Sequence, residues 1–323
     1  MIKDHEAQDH EVQEGIRRKL EEMNLLDDFL FTTIVSDADV GEEFSKILIK
    51  TICGRAVNHL KVTAQKVYYG GDTHLHGVRL DVYLEELPEE NTENAVIFNM
   101  EAEQNTHNDK IKYLPQRVRF YHSKIDGKHL KAGDSYDRLK NVFVIMIMSK
   151  DPFEMGHMIY TIRNQCVEVP ELSYEDGART IFLYTKGTKG NSPKALAELL
   201  RYMEHTTSEN AVNEDLETLQ NMVVAVKQKE EVSLNYMWAF ERDRELIEEG
   251  EARGKSIERI NMILSFSEKF SKEDIASCAG EPVEKIQKIC SLKEAHPDAD
   301  GKAIYKILQN DTDKREKTGD TGI

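Results

Sequence analysis

Residues 141–148 read NVFVIMIM, a continuous apolar run with little polar relief. Such a run suits a central strand buried on both faces. Two segments upstream alternate instead. In GVRLDVYLEEL, Val78, Leu80, Val82 and Leu84 share one face, opposite Arg79, Asp81, Tyr83 and Glu85. In NAVIFNMEAE, Val96, Phe98, Met100 and Ala102 oppose Ile97, Asn99, Glu101 and Glu103. This period of two predicts two strands, and the turn cluster PEENTEN between them predicts an antiparallel hairpin. LKVTAQKVYY alternates loosely and gives a further strand candidate before them.

Helices fill the flanks. LLDDFLFTTIVSD and GEEFSKILIKTICG are amphipathic, with Gly54 as a stop for the second. A helix is expected from Leu114–Pro115 through QRVRFYHSKIDGKHL, broken at Gly127. MIYTIRNQCVEV and ARTIFLYT read as two more strands around a PELSYEDG turn. The expected organisation is a polar helical arm at 1–24, a mixed α/β core at 25–190, a helical extension at 191–249, a small helical region at 250–310 and a disordered tail at 311–323. SKEDIASCAG followed by EPVEKIQKIC has the outline of a helix-turn-helix. Its second helix has as many acids as lysines, so a packing or oligomerisation unit is expected there rather than a DNA reader.

Length and composition set outer limits. A chain of 323 residues allows one large domain or two. With 39% apolar and 32% charged residues it can bury a sizeable core but is too polar for a multi-span membrane protein. The N-terminal stretch lacks an apolar signal region, and no window approaches the ~18 apolar residues of a membrane span. A cytoplasmic location with no membrane partner is the expectation. Cys53, Cys166, Cys278 and Cys290 lie far apart without a CxxC pair, which signals neither a zinc module nor a disulfide framework.

The formal net charge of −16 argues against nucleic acid as a partner. The charge is uneven, however. Residues 101–150 hold ten Lys+Arg against six Asp+Glu, while the acid excess sits in the N-terminal arm and the helical half. That basic block follows three acids. With the hairpin closed, Asp81, Glu101 and Glu103 point to one side of the sheet. Acids at period two form either the solvated face of an amphipathic sheet or a divalent-cation site, since Mg²⁺ takes oxygen ligands and keeps several waters. Among other candidates, His74 and His76 read as part of a Gly-rich loop rather than a zinc site, TKGTKGN as a basic turn, and Tyr236 and Trp238 as packing residues.

The blocks GVRLDVYLEEL, FNMEAEQ and LPQRVRFYHSKIDGKHLKAG resemble the PD-(D/E)xK nuclease family transposases, which are related to the recombination-promoting nucleases. LLDDFLFTTIVSD upstream and VFVIMIMSKDPF downstream extend the likeness, which covers residues 25–249. The resemblance implies an α/β fold with a restriction-endonuclease-like core, a mixed sheet flanked by helices, followed by a mostly α-helical C-terminal region. It implies a metal-dependent DNA endonuclease with Mg²⁺, or Mn²⁺, held by Asp81 and Glu101. The family's third position is lysine, or glutamine in many relatives, and here it is Glu103. Catalytic residues are therefore expected to be Asp81, Glu101 and Glu103, with support from Glu43, Gln104, Lys110 or Lys112. Arg117, Arg119 and Lys124 are the expected DNA contacts. The alternative is a catalytically degenerate relative that binds nucleic acid or protein. A homo-oligomer through the C-terminal helices is a further expectation.

Overall fold

The computed structural model describes residues 13–68, 77–87, 95–104 and 111–318. The expected Gly-rich loop with His74 and His76, the turn at 88–94, and Lys110 lie outside these residues. Among those described, no helix is long and apolar enough to cross a membrane. The four cysteines are free thiols.

The chain divides into two compact units, Met1–Met237 and Trp238–Ile323. The first is built on a mixed six-stranded sheet of order β1-β2-β3-β4-β6-β5. Its strands are β1 (Leu60–Tyr68), β2 (Val78–Glu86), β3 (Val96–Glu103), β4 (Asn141–Met148), β5 (Ile159–Ile162) and β6 (Ala178–Tyr184). β1, β2 and β3 form an antiparallel meander. β4 lies parallel between β3 and β6, and β5 closes the edge antiparallel to β6. The apolar run thus takes the central place that its composition requires.

One face of the sheet is covered by four helices, α2 (Asp28–Ser36), α3 (Gly41–Cys53), α5 (Lys194–Glu204) and α6 (Glu214–Lys227). Their starts and stops are chemical. The Asp27 carboxylate accepts the N–H of Phe29 to cap α2, Asn213 accepts that of Leu216 to cap α6, and Gly54 at φ 65° ends α3. Helix α1, over residues 13–22, is no free arm: Ile16 and Leu20 are buried, and Leu20 joins this core. Each fully buried Leu or Phe contributes roughly 1.5–3 kcal/mol.

The opposite face is covered by α4 (Leu114–His129), which buries Leu114, Val118, Tyr121 and Ile125 against Tyr83, Ile97, Val142, Val144 and Met146. This corrects one reading of the hairpin. The face that carries Asp81 and Glu101 is not solvated; it is the edge of a second core. Nor is the apolar face of β2 uniform. Leu80 joins this second core, whereas Val82 and Leu84 join the first. The change occurs at Asp81, where the β1–β2 ladder skips the Gln65–Asp81 pair and Gln65 takes φ 50°.

Three further boundaries differ from expectation. Helix α4 continues through Gly127, because buried Ile125 anchors its last turn and the Ile125 carbonyl meets His129 Nδ1 at 2.8 Å. The strand expected over 158–169 is confined to Ile159–Ile162, which pairs with Leu183 to Thr180 of β6. The expected tail is helical as far as Thr318.

In the second unit, the end of α7 (Glu230–Ser267) packs with α8 (Lys272–Ala279), α9 (Val283–Ala295) and α10 (Gly301–Thr318). Ile260, Ile263, Ile275, Ile286, Ile289 and Ile304 form its own core. Ser271 caps α8 and Gly280, at φ 64°, ends it, so the helix-turn-helix outline is real as local geometry. Helix α7 runs unbroken across residues 249–250, where a segment boundary was expected.

Candidate functional site

β2 and β3 pair from Glu85–Ile97 to Val82–Met100. One step further the register sets Asp81 opposite Glu101, and there the ladder ends. The N–H of Asp81 donates to Oε1 of Glu101 at 3.2 Å. Asn99 Nδ2 donates to the same oxygen at 3.0 Å. The strands part at this point, so two carboxylates face each other across a gap in the hairpin. The Glu101 side chain is 3% exposed.

Burial of this pair has a direct electrostatic cost. Desolvation raises Glu101 well above the usual carboxylate range, and the neighbouring Asp81 charge raises it further. Desolvation pushes Asp81 up to about 6, with the charge of Asp28 the next cause. Arg117 pulls both down.

Arg117 was expected at a DNA surface. The structure places it in the site instead. Its guanidinium pairs with Glu103 and lies 3.8 Å from Glu101 Oε2. The Tyr121 ring stands 5.6 Å from its carbon Cζ. Arg117 and Tyr121 are four apart on α4, and Tyr121 is buried, so packing of the helix fixes the direction of the cation. Arg117 Nε and Asn99 Oδ1 are buried without a hydrogen-bond partner among the described residues.

Asp28 is an acid that no local pattern singles out. It opens α2, which packs on β2 and β3. Its own carboxyl is raised, by burial first, and it feels the charges of Arg79, Asp27 and Glu103. Glu43, the acid expected from a helix, takes no part. It is 60% exposed on α3 beside Lys46, because its position in the first turn points it to solvent.

The remaining candidates divide. Gln104 follows β3 directly, and its backbone carbonyl accepts from Ser149, so its main chain is tied to the end of β4. Lys112 is exposed, its ammonium 5.7 Å from the Tyr113 ring. Arg119 is exposed on α4, and Lys124 lies over the Phe120 ring at 5.0 Å. The structure therefore joins Asp81, Glu101, Glu103 and Arg117, adds Asp28, and leaves Lys112, Arg119 and Lys124 as cations elsewhere on and beside α4.

Two facing carboxylates, both raised by burial and Glu101 also by the Asp81 charge, suit an added cation. Mg²⁺ accepts such a pair, since it takes one or two protein carboxylates and completes its shell with water and phosphate oxygens. Among the described residues, no group of three or more His, Cys, Asp or Glu is arranged to enclose an ion. The donor set thus fits an open site and not a closed cage. No family model matches the chain, and no curated protein or solved structure is significantly similar to it.

Proposed function

We propose that this chain is a divalent-metal-dependent DNA endonuclease with a restriction-endonuclease-like core, of mobile-element or recombination-promoting type. One observation carries the reading: Asp81 and Glu101 oppose each other where β2 and β3 part, Glu101 buried and Asp81 half-buried, both held above their usual range. The sequence blocks that resemble the PD-(D/E)xK nuclease family transposases supply the same two acids independently.

Asp81 and Glu101 would hold the ion. Bound there, Mg²⁺ would polarise a phosphoryl oxygen and lower the pKa of a water. Arg117 supplies the positive charge that Glu103 cannot. Its guanidinium is held by Glu103 beside Glu101, within reach of charge that builds on a phosphate. Asn99 fixes the Glu101 carboxylate by donating to Oε1. Arg119, Lys112 and Lys124 provide cations for the DNA backbone, within the chain's one strongly positive block. Binding through so few cations on an acidic protein is modest and falls steeply with salt.

The test is cleavage of supercoiled plasmid with Mg²⁺, with Mn²⁺ and with EDTA. Wild type is expected to cut with either ion, and Asp81→Asn and Glu101→Gln to lose cutting. Cutting that persists in Asp81→Asn overturns the mechanism.

A second reading has its own observation. Glu103 stands where the family has lysine, and it is already paired with Arg117. That pair favours a nuclease-fold module that binds DNA or protein without cutting. DNA affinity that does not need a divalent ion, with no cleavage under either ion, would select it.

A further inference from the structure

Every residue of α7 from 241 to 256 is exposed, four helical turns along which Arg253 reaches over the Tyr305 ring of α10 at 5.8 Å. The stretch is not uniformly polar. Leu246 is 58% and Ile247 62% exposed, and Trp238, expected to pack, is 62% exposed. The stretch also carries Gly250 and Gly254. A glycine inside a helix costs about 1 kcal/mol relative to alanine. At both positions a Cβ would meet nothing within 4 Å, so the described fold has no use for the missing side chains.

The spacing and the charges point to one occupant. Ile247, Gly250, Gly254 and Ile257 follow a three-four-three spacing and form one stripe along the helix. The stripe reads the same from either end about Ala252. A second copy running antiparallel sets Ile247 against Ile257 of the partner subunit, and Gly250 against Gly254 of the partner subunit. The charges select the same direction. Residues 241–249 hold five acids and two arginines, whereas 253–259 hold three cations and one acid. Antiparallel pairing lays the acidic half on the basic half, while parallel pairing lays like on like. With Ile247 as a heptad a position, Arg244 and Glu258 take e positions that meet across the antiparallel seam. Glu251, the e position between them, meets its own copy, and Lys255 stands 3.9 Å from it in the same helix.

We propose that the exposed middle of α7 is the seam of an antiparallel homodimer. The contact is isologous, so it closes at two copies. The glycines let the two backbones approach closely at the centre. This inference is independent of the nuclease reading.

Sedimentation velocity on the full chain, over a concentration series, tests it. Wild type is expected to be a dimer. Arg244→Glu and Glu258→Arg should each weaken association about tenfold or more, and the double exchange should restore it. Gly250→Leu should raise the thermal stability of the helix, because it adds helix propensity in open space, and yet weaken the dimer. Circular dichroism on each variant separates lost association from lost folding. A chain that stays monomeric overturns the proposal, including one that gathers on another protein or on anionic vesicles instead. A dimer indifferent to both single charge reversals and to Gly250→Leu also overturns it.

Discussion

The backbone N–H of Asp81 donates to the side chain of Glu101, one residue beyond the last β2–β3 pair, Val82–Met100. It holds one carboxylate against the strand that carries the other. The two acids therefore titrate as neighbours in a partly dry site.

That proximity fixes the sign of the pH dependence. Asp81 binds its proton more tightly folded than unfolded, its pKa rising from 3.8 to about 6. Its protonated form therefore favours folding. The contribution is fully present below the unfolded value and is lost as pH rises through about 6, with Glu101 extending the loss upward. Urea titrations at pH 5 and pH 8 are expected to show lower stability at pH 8. Asp81→Asn should recover on the order of 2 kcal/mol at pH 8 and flatten the pH profile. Equal stability of both proteins at both pH values contradicts this.

Metal should act in the opposite direction. Mg²⁺ or Mn²⁺ binds the ionised pair, so the increase in Tm on adding it should grow as pH rises past the Asp81 range. In Asp81→Ala and Glu101→Ala the increase should vanish. A differential scanning fluorimetry series at two pH values reads this without any DNA present. An increase unchanged in both variants places the ion elsewhere.

Arg117 is buried enough for its loss to matter. Its side chain is 28% exposed, and Glu103 beside it 16%. Arg117→Met leaves three acids without their cation and should cost about 2–3 kcal/mol in chemical denaturation. The Asp81 and Glu101 titrations should move further upward when followed by carboxyl carbon shifts. Arg117→Lys should restore part of both. A surface arginine would show neither effect.

Asp28 acts on Asp81 through its charge. Asp28→Asn is expected to lower the Asp81 pKa measured by the same carbon shifts, while costing the helix dipole of α2 less than ~1 kcal/mol. An unchanged Asp81 titration would mean that burial alone sets its value.

Several of these elements are legible in the chain itself. The seven apolar residues 142–148 dictate a central strand, because no polar side chain among them needs water. Period-two alternation puts Asp81, Glu101 and Glu103 on a common side, because side chains in a strand alternate. The cover on that side also left a mark. Leu114, Val118, Tyr121 and Ile125 recur at helical spacing inside a segment otherwise rich in charge. The charges hide that stripe from a composition reading.

The other placements depend on how the helices pack on the sheet. Asp28 precedes Asp81 by more than fifty residues, and only the packing of α2 on β2 and β3 gives it a role. Arg117 reads as a surface cation until α4 folds down and burial of Tyr121 turns it toward the acids. Glu43 shows the converse: an acid in the right kind of helix is aimed by the packing of that helix, and α3 aims it at solvent. Local periodicity predicts the β2–β3 hairpin and the shared side of Asp81 and Glu101, because side chains in a strand alternate, while the choice of these two acids as metal ligands rests on the family resemblance. Which charges share a low-dielectric space depends on what covers the sheet, and no local periodicity encodes that.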